Sequence, residues 1–306
     1  MKIKLQAGKN SVQFLSEGKK LAGNIFVPEN FKQGQKLSAI VVTTPAGGIK
    51  EQTAGIYAKK MASKGFIALV YDSRTYGESE GAPRNLEDPD MKIRDIHNAI
   101  SYLGTLEEVD SKQIFGLGVC AGSGYLSAAI TTDRRIKAFA TVVAAFDQRE
   151  IVIESMGKDV LVNVSNMIGT ARQKYYETGE EVTMPAFEAD ATKRVSQIQK
   201  EGWEYYMTER GQHPNHAGNK FAATGTNLFF SAYDYANLVS PTPLLAIIGN
   251  RADSAPQTHR MLELIDDKEN TELFVIDGAS HFDLYDKDEY VNQAIDKIST
   301  FLKKYK

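Results

Sequence analysis

Six nearly continuous apolar runs are the feature of this sequence that most restricts its fold. They lack the polar–apolar alternation of strands with one solvated face, so each is expected to be a strand covered on both sides. Helical patterns separate the runs, which is typical of a parallel sheet flanked by helices. The six runs are residues 39–43, 66–71, 114–119, 139–145, 244–248 and 273–276.

Two further runs, 12–15 and 21–27, surround the turn Ser16-Glu17-Gly18 and predict an antiparallel hairpin. The chain is therefore expected to form an α/β fold with an eight-stranded, mostly parallel sheet. Residues 147–226 interrupt the alternation of strands and helices, because this charged segment has helical patches and no clear β-run. Because this segment is too long for a loop in a compact domain, we expect a helical cap there, inserted after the sixth strand into a core domain of residues 1–146 and 227–306.

Composition excludes several classes of protein. The 306 residues are 42% hydrophobic and 25% charged, with a formal net charge of −3, so nothing points to a nucleic-acid or membrane partner. The first residues lack a signal-peptide pattern, and no apolar run is long enough to span a bilayer, so a cytoplasmic location is expected. A single cysteine can form neither an internal disulfide nor a zinc site alone. No cofactor is expected. The sequence is compatible with a homodimer.

The strongest chemical signal is Gly118-Val119-Cys120-Ala121-Gly122. It follows a predicted strand and begins a predicted helix, which is the context of a nucleophile held on a sharp strand-to-helix turn. The N-terminus of that helix and a nearby histidine would both stabilise a thiolate, so a lowered thiol pKa is expected. The alternative is a buried structural cysteine, but its position favours Cys120 as the nucleophile.

The base and the acid are expected on the loops after the last two strands. His281, in Gly278-Ala279-Ser280-His281, follows the last predicted strand and can take the thiol proton and deliver it to the leaving group. Asp253 follows the seventh strand and would orient the imidazole. Asp253 could instead cap the next helix, and Asp147, directly after the sixth strand, is the alternative acid.

The loop after the third strand, Thr44-Pro45-Ala46-Gly47-Gly48, is the candidate oxyanion hole. Its small residues allow a main-chain N–H of Ala46 or Gly47 to approach a substrate carbonyl, and Ala121 supplies the second N–H.

Aromatic residues are the candidate walls of the substrate pocket. They are Tyr76 after the fourth strand and Trp203 and Tyr206 in the aromatic cluster of the cap. His213 and His216 have a weak metal-like spacing, but Pro214 between them prevents a regular helix, and no metal site is expected.

These residues resemble the α/β-hydrolase superfamily over nearly the whole chain outside the cap. The cysteine at the turn resembles dienelactone hydrolases. The runs 45–53, 71–81 and 278–286 resemble capped, largely uncharacterised bacterial hydrolases related to fungal polyketide transferases. The resemblance implies a triad of Cys120, an acid and His281, and Glu51 resembles the glutamate that dienelactone hydrolases place against their cysteine.

The sequence therefore predicts a hydrolase that cleaves a small ester, thioester or lactone through an acyl-cysteine intermediate. An acyltransferase using the same intermediate is the alternative. A non-catalytic binding protein on the same fold is the second alternative, because a fold alone does not establish activity.

Overall fold

An eight-stranded sheet organises the molecule. The computed structural model describes residues 3–150, 153, 158–194, 196–223, 225, 228 and 230–306. The sheet order is β1-β2-β4-β3-β5-β6-β9-β10, with β1 and β2 antiparallel to each other, β2 antiparallel to β4, and the remaining pairs parallel. The predicted sheet is thereby confirmed. Its strands are β1 (Gly8–Ser16), β2 (Lys19–Val27), β3 (Leu37–Thr43), β4 (Ile67–Tyr71), β5 (Val109–Val119), β6 (Ile136–Val142), β9 (Leu244–Gly249) and β10 (Thr271–Ile276).

Helices cover both faces of this sheet, which is why its central strands are apolar on both sides. On one face α2 and α3 contribute Ile96, Ala99 and Leu126 to a buried cluster. On the other face α1 and α8 contribute Tyr57 and Ile295 to a second cluster. The helices are α1 (Thr53–Ser63), α2 (Pro89–Gly104), α3 (Ala121–Thr132), α4 (Lys158–Thr178), α5 (Gln197–Met207), α6 (Ala255–Leu264), α7 (Asp283–Asp286) and α8 (Asp288–Lys303). None of the helices in the described ranges is both long and apolar enough to cross a membrane.

The structure departs from two sequence-based expectations. Strand β6 ends at Val142 instead of residue 145, because Val143 adopts a positive φ of 38° that turns the chain out of the strand. The cap segment also contains a short antiparallel ladder of β7 (Thr183–Pro185) and β8 (Asn219–Phe221). A strand of three residues is too short to give a readable period-two pattern, so sequence analysis missed this ladder.

The two ends of the segment predicted as the cap, residues 147–226, lie close together at the core. An isolated antiparallel bridge joins Asp147 to Ser231. Farther along, the guanidinium of Arg210 donates to the carboxylate of Asp286 at 2.6 and 2.9 Å and to the Phe282 carbonyl at 2.7 Å. The side chain of Gln52 donates to the Gly211 carbonyl at 2.8 Å. These contacts fix the end of α5 against the core.

Candidate active site

Cys120 sits at the carboxyl end of β5, in the strained turn that the sequence predicts. Its φ of 52° and ψ of −124° lie outside the ordinary regions for a side-chain-bearing residue, a strain of about 1–3 kcal/mol. The flanking glycines permit the turn because a Cβ on Gly118 would lie 2.4 Å from Ser123 Cα, and one on Gly122 would lie 2.5 Å from the Thr44 carbonyl oxygen. The Cys120 N–H donates to the Val142 carbonyl at 3.0 Å, which holds the turn onto β6.

Two main-chain N–H groups converge on the sulfur of Cys120. Those of Ala121 and Ala46 both hydrogen-bond it and favour its anion. They come from the amino end of α3 and from the loop after β3, the two places that sequence analysis assigned to the oxyanion hole. The predicted contribution of Gly47 is not seen, because its N–H donates to Glu87 Oε2 at 3.0 Å instead.

Glu87 is a buried carboxylate that contacts the loop of residues 44–48, the candidate oxyanion loop. Besides the N–H of Gly47, it accepts hydrogen bonds from the hydroxyls of Tyr76 at 2.8 Å and Tyr125 at 2.7 Å and from Lys92 Nζ at 2.8 Å. Burial raises its pKa, but the ion pair with Lys92 and the hydroxyl donors outweigh burial and hold the pKa below its usual value. A charged Glu87 can therefore orient the peptide that follows Ala46.

His281 follows β10 and is almost fully buried. Its Nδ1 lies 2.7 Å from Ser254 Oγ, and its Nε2 lies 3.3 Å from the Tyr285 hydroxyl. Burial alone lowers the pKa of His281 to about 3, so the imidazole is neutral at physiological pH.

Both candidate acids are engaged away from this imidazole. The side chain of Asp253 is exposed and accepts from the Ile198 N–H at 3.2 Å. The carboxylate of Asp147 is buried and pairs with Arg149 at 3.0 Å. Neither acid is brought to His281, whose Nδ1 partner is Ser254, one residue beyond Asp253.

The thiol of Cys120 does not have the lowered pKa expected from sequence. Part of the residue is accessible from the pocket, but the surrounding protein desolvates the sulfur, and this burial raises its pKa. Hydrogen bonds from Tyr285 and Ala121 oppose the shift, and the negative charge of Glu87 adds to it. The resting site therefore holds a neutral thiol beside a neutral imidazole.

A cavity of about 240 Å³ opens onto Cys120. The cap supplies part of its wall, including Tyr206 as predicted, and the exposed lining is mainly apolar. The other two predicted wall residues lie elsewhere: Tyr76 is buried against Glu87, and Trp203 stacks under Arg194, with the guanidinium carbon 3.9 Å from the ring centre. The lining residues are Pro45, Ala46, Cys120, Ala121, Ala145, Gln148, Ala186, Phe187, Glu188, Ile198, Gln199, Tyr206, His281, Phe282 and Tyr285.

A larger, open depression of about 1050 Å³ lies along β1 and β2, away from Cys120. Lys50 lies in its wall and pairs with Glu51 at 2.7 Å, Asp72 at 2.8 Å and Glu78 at 2.6 Å. Glu51 is thus occupied by Lys50, which contradicts the role against the cysteine that the resemblance implied for it. We place the candidate site in the smaller cavity because, of the two, it is the one lined by Cys120, Ala46 and Ala121.

Of the two cap histidines considered as metal ligands, His216 makes structural contacts. The His216 ring stacks on Tyr206 at 5.1 Å and hydrogen-bonds the main chain of Gly47. Within the described ranges, no group of three or more His, Cys, Asp or Glu residues is arranged to hold a metal ion. His216 instead links the cap to the oxyanion loop.

Sequence analysis missed Ser254, Glu87 and Tyr285. Tyr285 had one available signal, because it follows His281 by four residues, about one helical turn. Glu87 gives no such signal, since the partners that connect it to the site, the N–H of Gly47 and the hydroxyl of Tyr125, come from distant parts of the chain.

The comparisons with known proteins agree with this architecture. The family model described as X-Pro dipeptidyl-peptidase (S15 family) matches residues 17–220. The chain is 34% identical to the uncharacterized protein YcjY of Escherichia coli (strain K12), over 92% of this chain and 93% of that one. It superposes on the crystal structure of the hypothetical protein PA2218 from Pseudomonas aeruginosa with a TM-score of 0.87 at 30% identity, covering 99% of this chain and 96% of that one.

The names of more distant relatives describe activities. The acyltransferase drtE of Aspergillus calidoustus is 26% identical over 82% of both chains. The thiohydrolase aneE of Aspergillus aculeatus is 23% identical over 82% of this chain and 80% of that one. These names indicate hydrolysis or acyl transfer in general and leave the substrate of this chain open.

Proposed function

Because the chain belongs to the family described as X-Pro dipeptidyl-peptidase (S15 family), on an α/β-hydrolase fold, we propose that it hydrolyses small esters or thioesters through an acyl intermediate on Cys120. One observation carries the proposal: the Cys120 sulfur meets the N–H groups of Ala46 and Ala121 at the floor of a largely apolar cavity. Acyl transfer requires N–H donors beside the nucleophile, within reach of the oxyanion that forms on the carbon it attacks. The cysteine at this position also resembles that of dienelactone hydrolases.

The reaction begins with a neutral thiol. As the sulfur of Cys120 attacks the acyl carbon, its proton is transferred towards Nε2 of His281, and the carbonyl oxygen becomes an oxyanion that accepts from Ala46 and Ala121. The carbon–oxygen or carbon–sulfur bond of the substrate then breaks, and the departing atom takes the proton. Water repeats the sequence on the acyl-cysteine and releases the acid. Ser254 holds the imidazole at Nδ1 throughout.

We propose esters and thioesters in preference to amides, despite the peptidase in the family description. In the tetrahedral intermediate on a cysteine, the thiolate leaves more readily than an unprotonated amine, so an amide tends to revert to substrate. An amide nitrogen departs only if His281 protonates it early, whereas a thiolate or p-nitrophenolate can depart without that proton.

The test is hydrolysis of p-nitrophenyl acetate, an acyl thioester and an X-Pro p-nitroanilide by the purified protein. We expect turnover of the first two substrates and none of the anilide. Cys120→Ala should abolish turnover, and Cys120→Ser should fold and lose most of it. Mass spectrometry of the acetate reaction should find one acetyl group on Cys120. Full activity of Cys120→Ala, or cleavage of the anilide with inert esters, would overturn the proposal.

Acyl transfer to an alcohol or amine is the second candidate. The observation that favours it is the cover over Cys120, where Tyr206 is buried and Phe187 stacks on it at 5.4 Å, because a covered acyl-cysteine is less open to water. Added alcohol should then accelerate turnover and yield a new ester, whereas a hydrolase would release only the acid.

A further inference from the structure

The hydroxyl of Tyr285 lies between the thiol and the imidazole. It hydrogen-bonds Cys120 and is 3.3 Å from Nε2 of His281. We propose that Tyr285 is a catalytic residue that relays the proton between Cys120 and His281. This inference rests on the proposed function, because it assumes that Cys120 is the nucleophile.

The hydrogen bonds around His281 favour the direction of this relay. A neutral imidazole carries one proton, on either Nδ1 or Nε2. If Nδ1 holds it and donates to Ser254 Oγ at 2.7 Å, then Nε2 is free to accept from the Tyr285 hydroxyl. The thiolate of Cys120 would accept from the Tyr285 hydroxyl, which is why this hydrogen bond lowers the pKa of the thiol. In the neutral site the tyrosine proton is directed to Nε2, and the Tyr285 oxygen is then free to accept from the Cys120 S–H. Ser254 thereby sets the tautomer that a base requires.

The relay balances in protons and electrons. During attack, the sulfur–carbon bond forms from the S–H electron pair, the thiol proton moves to the Tyr285 oxygen, and the Tyr285 proton moves to Nε2. During collapse, the bond to the departing group breaks, and the same two protons return in the opposite direction, so that the departing atom becomes neutral. No oxidant or other co-reactant is needed.

The two transfers must occur together. Burial raises the pKa of Tyr285 well above its usual value, so a free tyrosinate is not a stable intermediate. A hydroxyl that accepts one proton while donating another avoids this charge. The rate of attack should therefore depend on two protons that move in the same step, those of the Cys120 thiol and the Tyr285 hydroxyl.

The position of the Tyr285 hydroxyl is fixed by packing. The residue is 1% exposed, and its main-chain carbonyl accepts from the Thr53 hydroxyl at 2.9 Å. Its ring meets Tyr205 edge-on at 5.0 Å and Phe282 at 4.5 Å. Such packing holds the hydroxyl in the reactive geometry, which is what proton transfer requires.

The decisive variant is Tyr285→Phe, which removes the hydroxyl and keeps the ring. Its matched control is Tyr205→Phe, a buried neighbour whose ring packs on Tyr285 and which lies outside the cavity lining. Both proteins should be measured for kcat and KM on p-nitrophenyl acetate, for Tm, and for the dependence of kcat/KM on the fraction of D₂O. Because p-nitrophenolate leaves without a proton, kcat/KM on this ester reports the attack step.

We expect Tyr285→Phe to lower kcat/KM about 100-fold, within the range for loss of a proton-transfer group, with KM nearly unchanged. Tyr205→Phe should retain wild-type rates. The D₂O dependence should be curved in the wild type, as two moving protons require, and linear in Tyr285→Phe. Wild-type rates in Tyr285→Phe, equal losses in both variants, or a D₂O dependence that Tyr285→Phe leaves unchanged would each overturn the relay.

Failure of the relay and failure of the proposed function are distinguishable. An inactive Cys120→Ala with a fully active Tyr285→Phe removes the relay and keeps the nucleophile. An active Cys120→Ala removes both.

Discussion

The two walls of the cavity differ in how they are held. The core wall comes from the strand ends, where Cys120 is fixed by a strained backbone turn and Ala121, His281 and Tyr285 are almost fully buried. The cap wall consists largely of partly exposed side chains, such as Phe187 and Ile198, with Tyr206 as its buried residue. Under the proposed function, the chemistry would therefore reside on positions that the backbone determines, and selection among substrates on side chains that can change without disturbing it.

The largest difference between two possible results lies in the pH dependence of the rate, which reports whether the cap keeps water away from His281. Burial lowers the pKa of His281 to about 3, so the neutral base persists as the pH falls, whereas a solvated histidine with a pKa near 6.5 is mostly protonated at pH 5. We expect protonation of His281 to lower kcat/KM on a p-nitrophenyl ester by less than about two-fold between pH 8 and pH 5. Protonation of a solvated histidine would lower it by about 30-fold over the same range.

A pH–rate profile of the wild type measures this directly. As a control, far-ultraviolet circular dichroism at each pH should establish that the protein remains folded. A fall in kcat/KM at low pH with a midpoint near pH 6.5 would show that His281 is solvated in solution and that the cap does not exclude water from it.

A smaller effect is expected from the partner of the histidine. Ser254→Ala leaves Nδ1 of His281 without its acceptor in a buried site, which costs about 1–3 kcal/mol and should lower kcat/KM by about ten-fold or more. The matched control is the adjacent, exposed Asp253, whose change to Asn should alter kcat/KM by less than about two-fold, as for most surface substitutions. Steady-state kinetics with Tm measurements compare the two. A larger loss in Asp253→Asn would return the acid role to Asp253.

The smallest effect should come from the cap wall. Phe187→Ala enlarges the cavity and should raise the preference for butyrate over acetate p-nitrophenyl esters by a few-fold, because each methylene in an apolar pocket contributes about 1–3 kcal/mol at most. Trp203→Ala is the control, since Trp203 stacks under Arg194 outside the cavity lining. The ratio of kcat/KM values is the measurement. An unchanged ratio in Phe187→Ala would show that the core wall sets selection as well.

Sequence analysis predicted what the chain order determines. The turn at Cys120, the loop at Ala46 and the position of His281 all follow from which strand precedes them, and the order of strands is readable from apolar runs. The hydrogen-bond partner of His281 could not be predicted in the same way. Ser254 and Asp253 are adjacent, and which side chain turns inwards depends on backbone angles where α6 begins, not on residue type.

The cap residues illustrate a second limit. Trp203 and Tyr206 lie three apart on α5, a spacing that places both near one face of the helix. Only Tyr206 reaches the cavity, because the Trp203 ring packs under Arg194 instead. Tyr76 illustrates the same point in the core, since its hydroxyl is directed to Glu87, a residue whose position the sequence pattern does not reveal.

The ion pair between Arg210 and Asp286 limits how the cap segment of this protein could be exchanged for that of a relative. Asp286 directly follows Tyr285, so this ion pair holds the cap against the turn that carries the proposed relay residue. A chimera that takes residues 147–226 from another family member must keep an arginine and an aspartate matched across that junction, and a glutamine at Gln52 for the Gly211 carbonyl. The cap is therefore not an interchangeable part, and substrate range in this family would be diversified more safely by exchanging single side chains than by exchanging whole modules.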